Sequence, residues 1–313
     1  MVSEKERLPT RPPTKNEGLS PAEEKVFGFI VPAHESSAIK MSDFKELYGE
    51  DQVKRDRESI ERKKTKFMRE ETGPTKRAKI LEALLSEQIE LSDWFGSGAF
   101  TIVSSEYDDL YNGVDLAIEF ERESSYRYMA VGVDVTSSGT SVAKKLSIIK
   151  EHIRTGTLTR MKYFSSERNN FWGEYRQIPQ IVVGVDSKTI EELSELWLTA
   201  HGTRLQKDNT FLSDASKEHQ KKIAKEAHEK LANHRVRILL LKEVRLQLQA
   251  FLSFAWEQKR EDVALKFESL LLLINDLLKE GENVLTEEDK MRNESDSVFQ
   301  SLKETLEHFD RLL

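Results

Sequence analysis

The sequence predicts an α+β protein: a mixed sheet flanked by helices, followed by an all-α C-terminal region. Three observations predict this. Short apolar alternations of strand length lie between Ala99 and Val185. Stripes of helical period precede and interrupt them. After Ser213 no strand pattern remains. Of the 313 residues, 38% are hydrophobic and 33% charged, which is lean for one globule and implies exposed helices or tails beside the core.

The elements follow in order. Residues 1–50 read as a largely disordered lead-in. Met1 to about Ser20 is rich in Pro and charge and cannot bury enough to offset its ordering entropy. Within the lead-in, Val26 to Val31 (VFGFIV) reads as an edge strand or a docking peptide. Residues 51–72 form a charged helix, and Gly73-Pro74 breaks it. Residues 73–200 make the α/β core. Its first helix runs from Lys76 to Leu91, with Thr75 as N-cap and a stripe of Ile80, Leu81, Leu84, Leu85 and Leu91. On the helical wheel Glu87 lies at the edge of that stripe, and Glu82 points further towards solvent. Strands follow at Ala99–Ser104, Val114–Glu121 and Tyr128–Thr136, then a helix over Ser141–Arg154. The stretch 155–178 is irregular and mixes aromatics with Arg160, Lys162, Arg168 and Arg176. A strand at Gln180–Val185 and a helix at Thr189–Ala200 close the core. Residues 201–213 are a linker. Residues 214–313 form a helical bundle or coiled arm, with long helices over 216–259, 261–279 and 286–312. Met291, Val298, Leu302, Leu306 and Phe309 stand at near-heptad spacing in the last.

Net charge is −7, so the chain as a whole is not a general polyanion binder, but the sign is uneven. Lys54 to Lys79 holds 11 Lys/Arg against 5 Asp/Glu, and Glu280 to Leu313 holds 4 against 10. A basic stretch of this kind marks either a phosphate-binding surface or a solvated helix face. The absence of cysteine excludes disulfides, thiolate zinc sites and thiol catalysis. There is no apolar signal core at the N-terminus and no run near 18 apolar residues. The expectation is a soluble, cytoplasmic protein without a membrane partner. The C-terminal helices offer a surface for self-association or a protein partner.

The chemistry gathers between Asn112 and Lys145. Alternation puts Val114, Leu116, Ile118 and Phe120 on one face of the second strand and Asp115, Ala117 and Glu119 on the other. In the third strand Asp134 shares a face with Ala130 and Gly132. A symmetric hairpin across 122–127 pairs Asp115 with Asp134, Ala117 with Gly132 and Glu119 with Ala130. Opposed carboxylates at that spacing repel unless neutralised, and hard oxygen ligands suit Mg²⁺ or Mn²⁺. The competing explanation is two solvent-facing aspartates on a half-exposed sheet.

The order helix, three strands, helix, strand, together with Asp115 in Gly113-Val114-Asp115 and Asp134 in Asp134-Val135-Thr136, resembles the PD-(D/E)XK nuclease superfamily over about Lys76 to Ala200. The resemblance implies a restriction-endonuclease-like core and Mg²⁺-dependent phosphodiester hydrolysis on nucleic acid. It implies metal binding by Asp115, Asp134, Val135 and a helical Glu, matched best by Glu87 and next by Glu82. Thr136 stands where the family carries its lysine. Members exist whose lysine has moved to the following helix, and Lys144 and Lys145 suit that role. Lys145 lies nearer the buried face, beside Val142, Leu146 and Ile149. If neither lysine reaches the site, the implied alternative is an inactive nuclease-like scaffold that binds nucleic acid or protein.

Other chemistries find no support. Gly96-Ser97-Gly98 precedes a strand and is a turn, not a nucleophile elbow. There is no GxGxxG and no GxxxxGK[ST]. His228 and His234 are six residues apart on one helix and face different ways.

Overall fold

Apolar alternation in four short segments builds the central sheet. The structure is a computed structural model describing residues 18–66, 71–121, 129–205, 214–281 and 284–311. β1 (Ala99–Val103), β2 (Leu116–Phe120) and β3 (Met129–Thr136) form an antiparallel meander. β4 (Thr159–Ser166) and β5 (Phe171–Ile178) make a separate hairpin, and β6 (Gln180–Gly184) joins parallel to β3. The order in the main sheet is β1-β2-β3-β6. Ala117 pairs with Gly132 and Glu119 with Ala130, the expected register. The expected turn at 122–127 falls in residues 122–128, which lie outside the described residues.

The sheet has two covered faces. Leu116, Ile118 and Phe120 join Val131, Val133 and Val135 in the main core. Ala117 packs instead with Met161, Phe164 and Ile178 of the hairpin. Val114 also belongs to this second cluster, not to the Leu116 face as alternation suggested. The reason is a bend at Asp115, which starts β2 two residues later than expected and breaks the period of two. The stretch 155–178, read as irregular, is the β4–β5 hairpin. Its register shifts between Met161 and Phe164, so its apolar positions do not alternate cleanly.

Helices cover the sheet. α1 (Pro21–Ser36) contains the Val26–Val31 segment, which is therefore neither an edge strand nor a free peptide. Ser20 and Glu23 form a capping box at its start, and Val26, Ile30 and Val31 are buried at helical spacing. Buried Glu23 takes Arg77 at 2.7 Å and ties the helix to the core. A 3-10 turn (Met41–Phe44), α2 (Lys45–Tyr48) and α3 (Glu50–Lys66) follow. The lead-in is thus helical from Pro21, while residues 1–17 lie outside the described residues. α3 is the expected charged helix and buries only Val53, Asp56 and Ile60.

α4 (Gly73–Ser92) is capped by Thr72, not Thr75, because Pro74 sits comfortably in the first turn. α5 (Glu106–Asn112) was not expected: two turns are too short for a readable stripe. α6 (Gly139–Thr155) crosses from β3, and α7 (Ser187–Leu205) runs into the expected linker, of which 206–213 lie outside the described residues. α8 (Asp214–Ala232) and α9 (Val236–Glu257) replace one long helix. The chain turns where buried Arg235 donates to Asn293 (2.8 Å) and Thr189 (3.1 Å). α10 (Glu261–Gly281), α11 (Glu287–Glu294) and α12 (Ser297–Glu307) complete the fold. Asp296 caps α12 by accepting from Val298 and Phe299 N–H, so the last helix is broken and Met291 is exposed. The near-heptad spacing therefore does not build a coiled coil.

These C-terminal helices pack on the sheet as part of its core and do not extend as an arm. One apolar cluster runs from Val26 to Phe309. Gln247 of α9 accepts from Val182 N–H at 2.8 Å and donates to Val182 O at 2.6 Å. Glu243 accepts from Gly184 N–H at 2.9 Å. The open edge of β6 is thus paired by side chains, which removes a template for strand addition. Among the described residues, no helix is long and apolar enough to cross a membrane.

Candidate functional site

Just before β2 the chain bends at Asp115. Its Oδ2 accepts from Val135 N–H at 2.6 Å, and its own N–H donates to Val133 O at 2.9 Å. Gly113, just before, is the left-handed C-cap of α5 at φ 64°, a conformation that suits glycine. A side chain there would approach Asp134 Oδ2 to 3.9 Å. Asp134 follows on β3 opposite this bend. The two aspartates come together as the hairpin register required.

Lys145 of α6 reaches them. Its ammonium bonds Asp134 Oδ1 and donates to Val135 O at 2.9 Å. Thr136, at the expected lysine position, fastens the start of this helix instead. Its buried hydroxyl meets the Ser141 hydroxyl at 2.7 Å and accepts from Ser138 N–H at 3.2 Å. Lys144 is exposed and lines the same cleft as Asp134 without a bond to it.

The helical carboxylate at this site is Glu82, not Glu87. Glu87 accepts from Trp197 Nε1 at 2.7 Å and stands 3.8 Å from His201, on the side of α4 that faces α7. The wheel located Glu87 correctly at the stripe edge, but that edge is the wrong one. Glu82 lies on the other side, where α1 supplies His34 with Nε2 at 2.8 Å from Glu82 Oε1. α5 adds Asp109, whose carboxyl lies within hydrogen-bonding reach of Asp115. His34 and Asp109 escaped the sequence reading. Asp109 sits in the acidic run of Glu106-Tyr107-Asp108-Asp109, and His34 carries no sequence signal.

The electrostatics follow from this crowding. Burial, then Asp134, Asp109 and Glu82, push the Asp115 carboxyl well above the usual carboxylate range. Burial and Glu82 bring Asp109 up to about 6. Burial also raises Asp134, against the pull of Lys145. Four carboxyls thus crowd together, with Lys145 drawing Asp134 down and Lys79 drawing Asp109 down. Hard oxygen donors of this kind suit Mg²⁺ or Mn²⁺ in chemistry. In arrangement, Lys145 takes Asp134 Oδ1 and Val135 O, and among the described residues no three His, Cys, Asp or Glu side chains are set to hold a metal.

Two clefts open on different sides of the cluster. Asp134 opens on one of about 930 Å³, rimmed by Lys63, Lys144, Arg160 and Arg176. Asp115, Asp109, Glu82 and His34 open on another of about 540 Å³. The first carries positive charge in a protein that is negative overall. Comparison of the chain with protein-family models, with curated proteins and with solved structures gives no match.

Proposed function

We propose that the protein is a Mg²⁺- or Mn²⁺-dependent phosphodiester hydrolase acting on nucleic acid, built on a PD-(D/E)XK-type core. The observation that carries this reading is the approach of Asp115 to Asp134 and a helix-borne Lys145, the latter two lining a cationic cleft. Asp115 and Asp134 would hold the cation, with Glu82 and Asp109 beside them and Val135 O within the same set. A bound cation supplies charge neutralisation at the phosphodiester and a more acidic water. Lys145 stabilises charge that develops on the phosphoryl oxygens. Glu82, oriented by His34, accepts a proton from the attacking water. Lys63, Lys144, Arg160 and Arg176 hold the backbone phosphates. A cytoplasmic place suits a chain without cysteine.

A second reading draws on one specific observation. Lys145 already occupies both oxygens that the metal would take from Asp134 and Val135. A core closed in this way binds nucleic acid or protein without cutting it, its C-terminal helices serving the partner. The experiment is cleavage of single- and double-stranded DNA and RNA by the purified protein with Mg²⁺ or Mn²⁺, beside Asp134→Ala. Cleavage lost in the variant supports the hydrolase. Binding without cleavage supports the scaffold, and equal cleavage in the variant removes this site from the reaction.

A further inference from the structure

Glu119, on β2, lies four residues beyond Asp115, about 13 Å at the rise of a strand. It is only 2% exposed. Oε2 accepts from Ser166 Oγ at 2.9 Å, while Oε1 has no hydrogen-bond partner among the described residues. A buried carboxyl oxygen left unmet is costly in any fold. Burial accordingly pushes this group up to about 7, against Ser166, Asn169 and Arg168.

Glu119 lines a cleft of about 720 Å³ between β1, the turn after α1 and the β4–β5 hairpin. Two flat groups belong to its walls. Trp172, 43% exposed, lies on Phe44 with ring centres 5.2 Å apart and planes at 23°. The Arg168 guanidinium covers the Phe100 ring at 3.1 Å. The Ser86 and Thr101 hydroxyls, 3.0 Å apart, add polar atoms to the wall. Carboxyls from Asp43, Glu90, Glu119 and Glu167 outnumber the cations Lys40 and Arg168 in the lining. A phosphate is therefore unwelcome inside. A flat ring that offers N–H donors and stacks on an aromatic face meets every feature of the cleft.

We propose that this cleft binds a nucleobase, guanine best, stacked against Trp172 and donating its ring and exocyclic N–H groups to the Glu119 carboxyl. Guanine presents two adjacent donors on one edge. Cytosine offers its exocyclic amine alone, and uracil only a ring N–H. The site goes beyond the hydrolase reading and does not depend on it, because base binding needs neither cleavage nor metal.

The test titrates guanosine, cytidine, adenosine and uridine into full-length Asp134→Ala protein in EDTA and follows tryptophan emission. Failure of hydrolysis and failure of base binding are thereby separate results. Guanosine is expected to quench saturably and more tightly than the other three. Trp172→Phe should abolish the change, and Glu119→Gln should weaken binding about tenfold or more. Trp172 is exposed, so its replacement keeps the test valid should the Glu119 variant fail to fold, as far-UV circular dichroism would reveal. No saturable quench by any nucleoside, an unchanged response in Trp172→Phe, or full affinity in folded Glu119→Gln would each overturn the proposal.

Discussion

Replacing Lys145 by Met tests the acid cluster without touching an acid. The variant keeps an unbranched side chain, one atom shorter, and removes its charge. In the parent, the Lys145 and Asp134 side chains are 23% and 15% exposed. An exposed pair contributes about 0–1 kcal/mol, and removing one partner of a fully buried pair costs about 3–5 kcal/mol. Partial exposure sets this case between them, so the expected loss at pH 8 is about 2 kcal/mol after solvent screening. At about 2.1 cal/mol/K per residue, a chain of 313 residues would shift its melting temperature by about 3 °C.

The sign of the pH dependence is fixed. Burial already raises Asp134, and Lys145 opposes that rise. Without the lysine the folded carboxyl rises further and binds its proton at higher pH. The deficit of the variant is therefore full above the folded pKa and shrinks as the pH falls through it. Urea midpoints at pH 8 and pH 5 in EDTA provide the assay. Mg²⁺ or Mn²⁺ added at pH 8 should restore more stability to the variant than to the parent, because a cation takes over the neutralising role. A variant as stable as the parent at pH 8, or equally destabilised at both pH values, would refute this account of the cluster.

Other expectations follow from the same structure. Glu82→Gln should lower metal-dependent cleavage about tenfold or more, whereas Glu87→Gln, which faces Trp197, should leave it near the parent rate; the reverse order would restore Glu87 to the site. Gln247→Ala leaves Val182 N–H and O buried without partners, so a loss of about 3–5 kcal/mol is expected in urea unfolding, and a loss under 1 kcal/mol would mean that water replaces the side chain. Glu119→Gln should flatten a pH dependence of stability. The folded group holds its proton to about 7 against 4.5 unfolded, so parent stability falls as pH rises through that window, by about 3 kcal/mol at 1.36 kcal/mol per unit. Melting curves at pH 5 and pH 8 read the difference directly.

Several features were legible in the sequence because they depend on short periods. The register of β2 against β3 follows from alternation on a hairpin and brings Asp115 to Asp134. The choice of Lys145 over Lys144 follows from its place beside Val142, Leu146 and Ile149 on α6, all of which are buried. The rest depends on contacts between distant segments. Nothing in residues 18–36 announces that α1 will deliver His34 to Glu82, 48 positions away. Nothing in the α9 stripe distinguishes Gln247 and Glu243, which are fully buried because the edge of β6 needs them, 65 and 59 positions away. A polar residue in a buried stripe reads as a local interruption until its strand partner is known.

Thr136 joins the legible and the hidden parts. As a substitute for a lysine it looked like a loss of chemistry on β3. In the fold its hydroxyl ties the entry of α6 to the end of β3 through Ser138 and Ser141. That tie sets where the helix begins, and one residue of slip along α6 would rotate Lys145 by about 100°. Lys144, one residue back on the helix, is exposed. The placing of Lys145 therefore depends on Thr136: a lysine at 136 would supply charge but remove the hydroxyl that aims Lys145. Exchanging the two, as Thr136→Lys with Lys145→Thr, would test whether charge alone or charge on a fixed helix is what the carboxyl cluster requires.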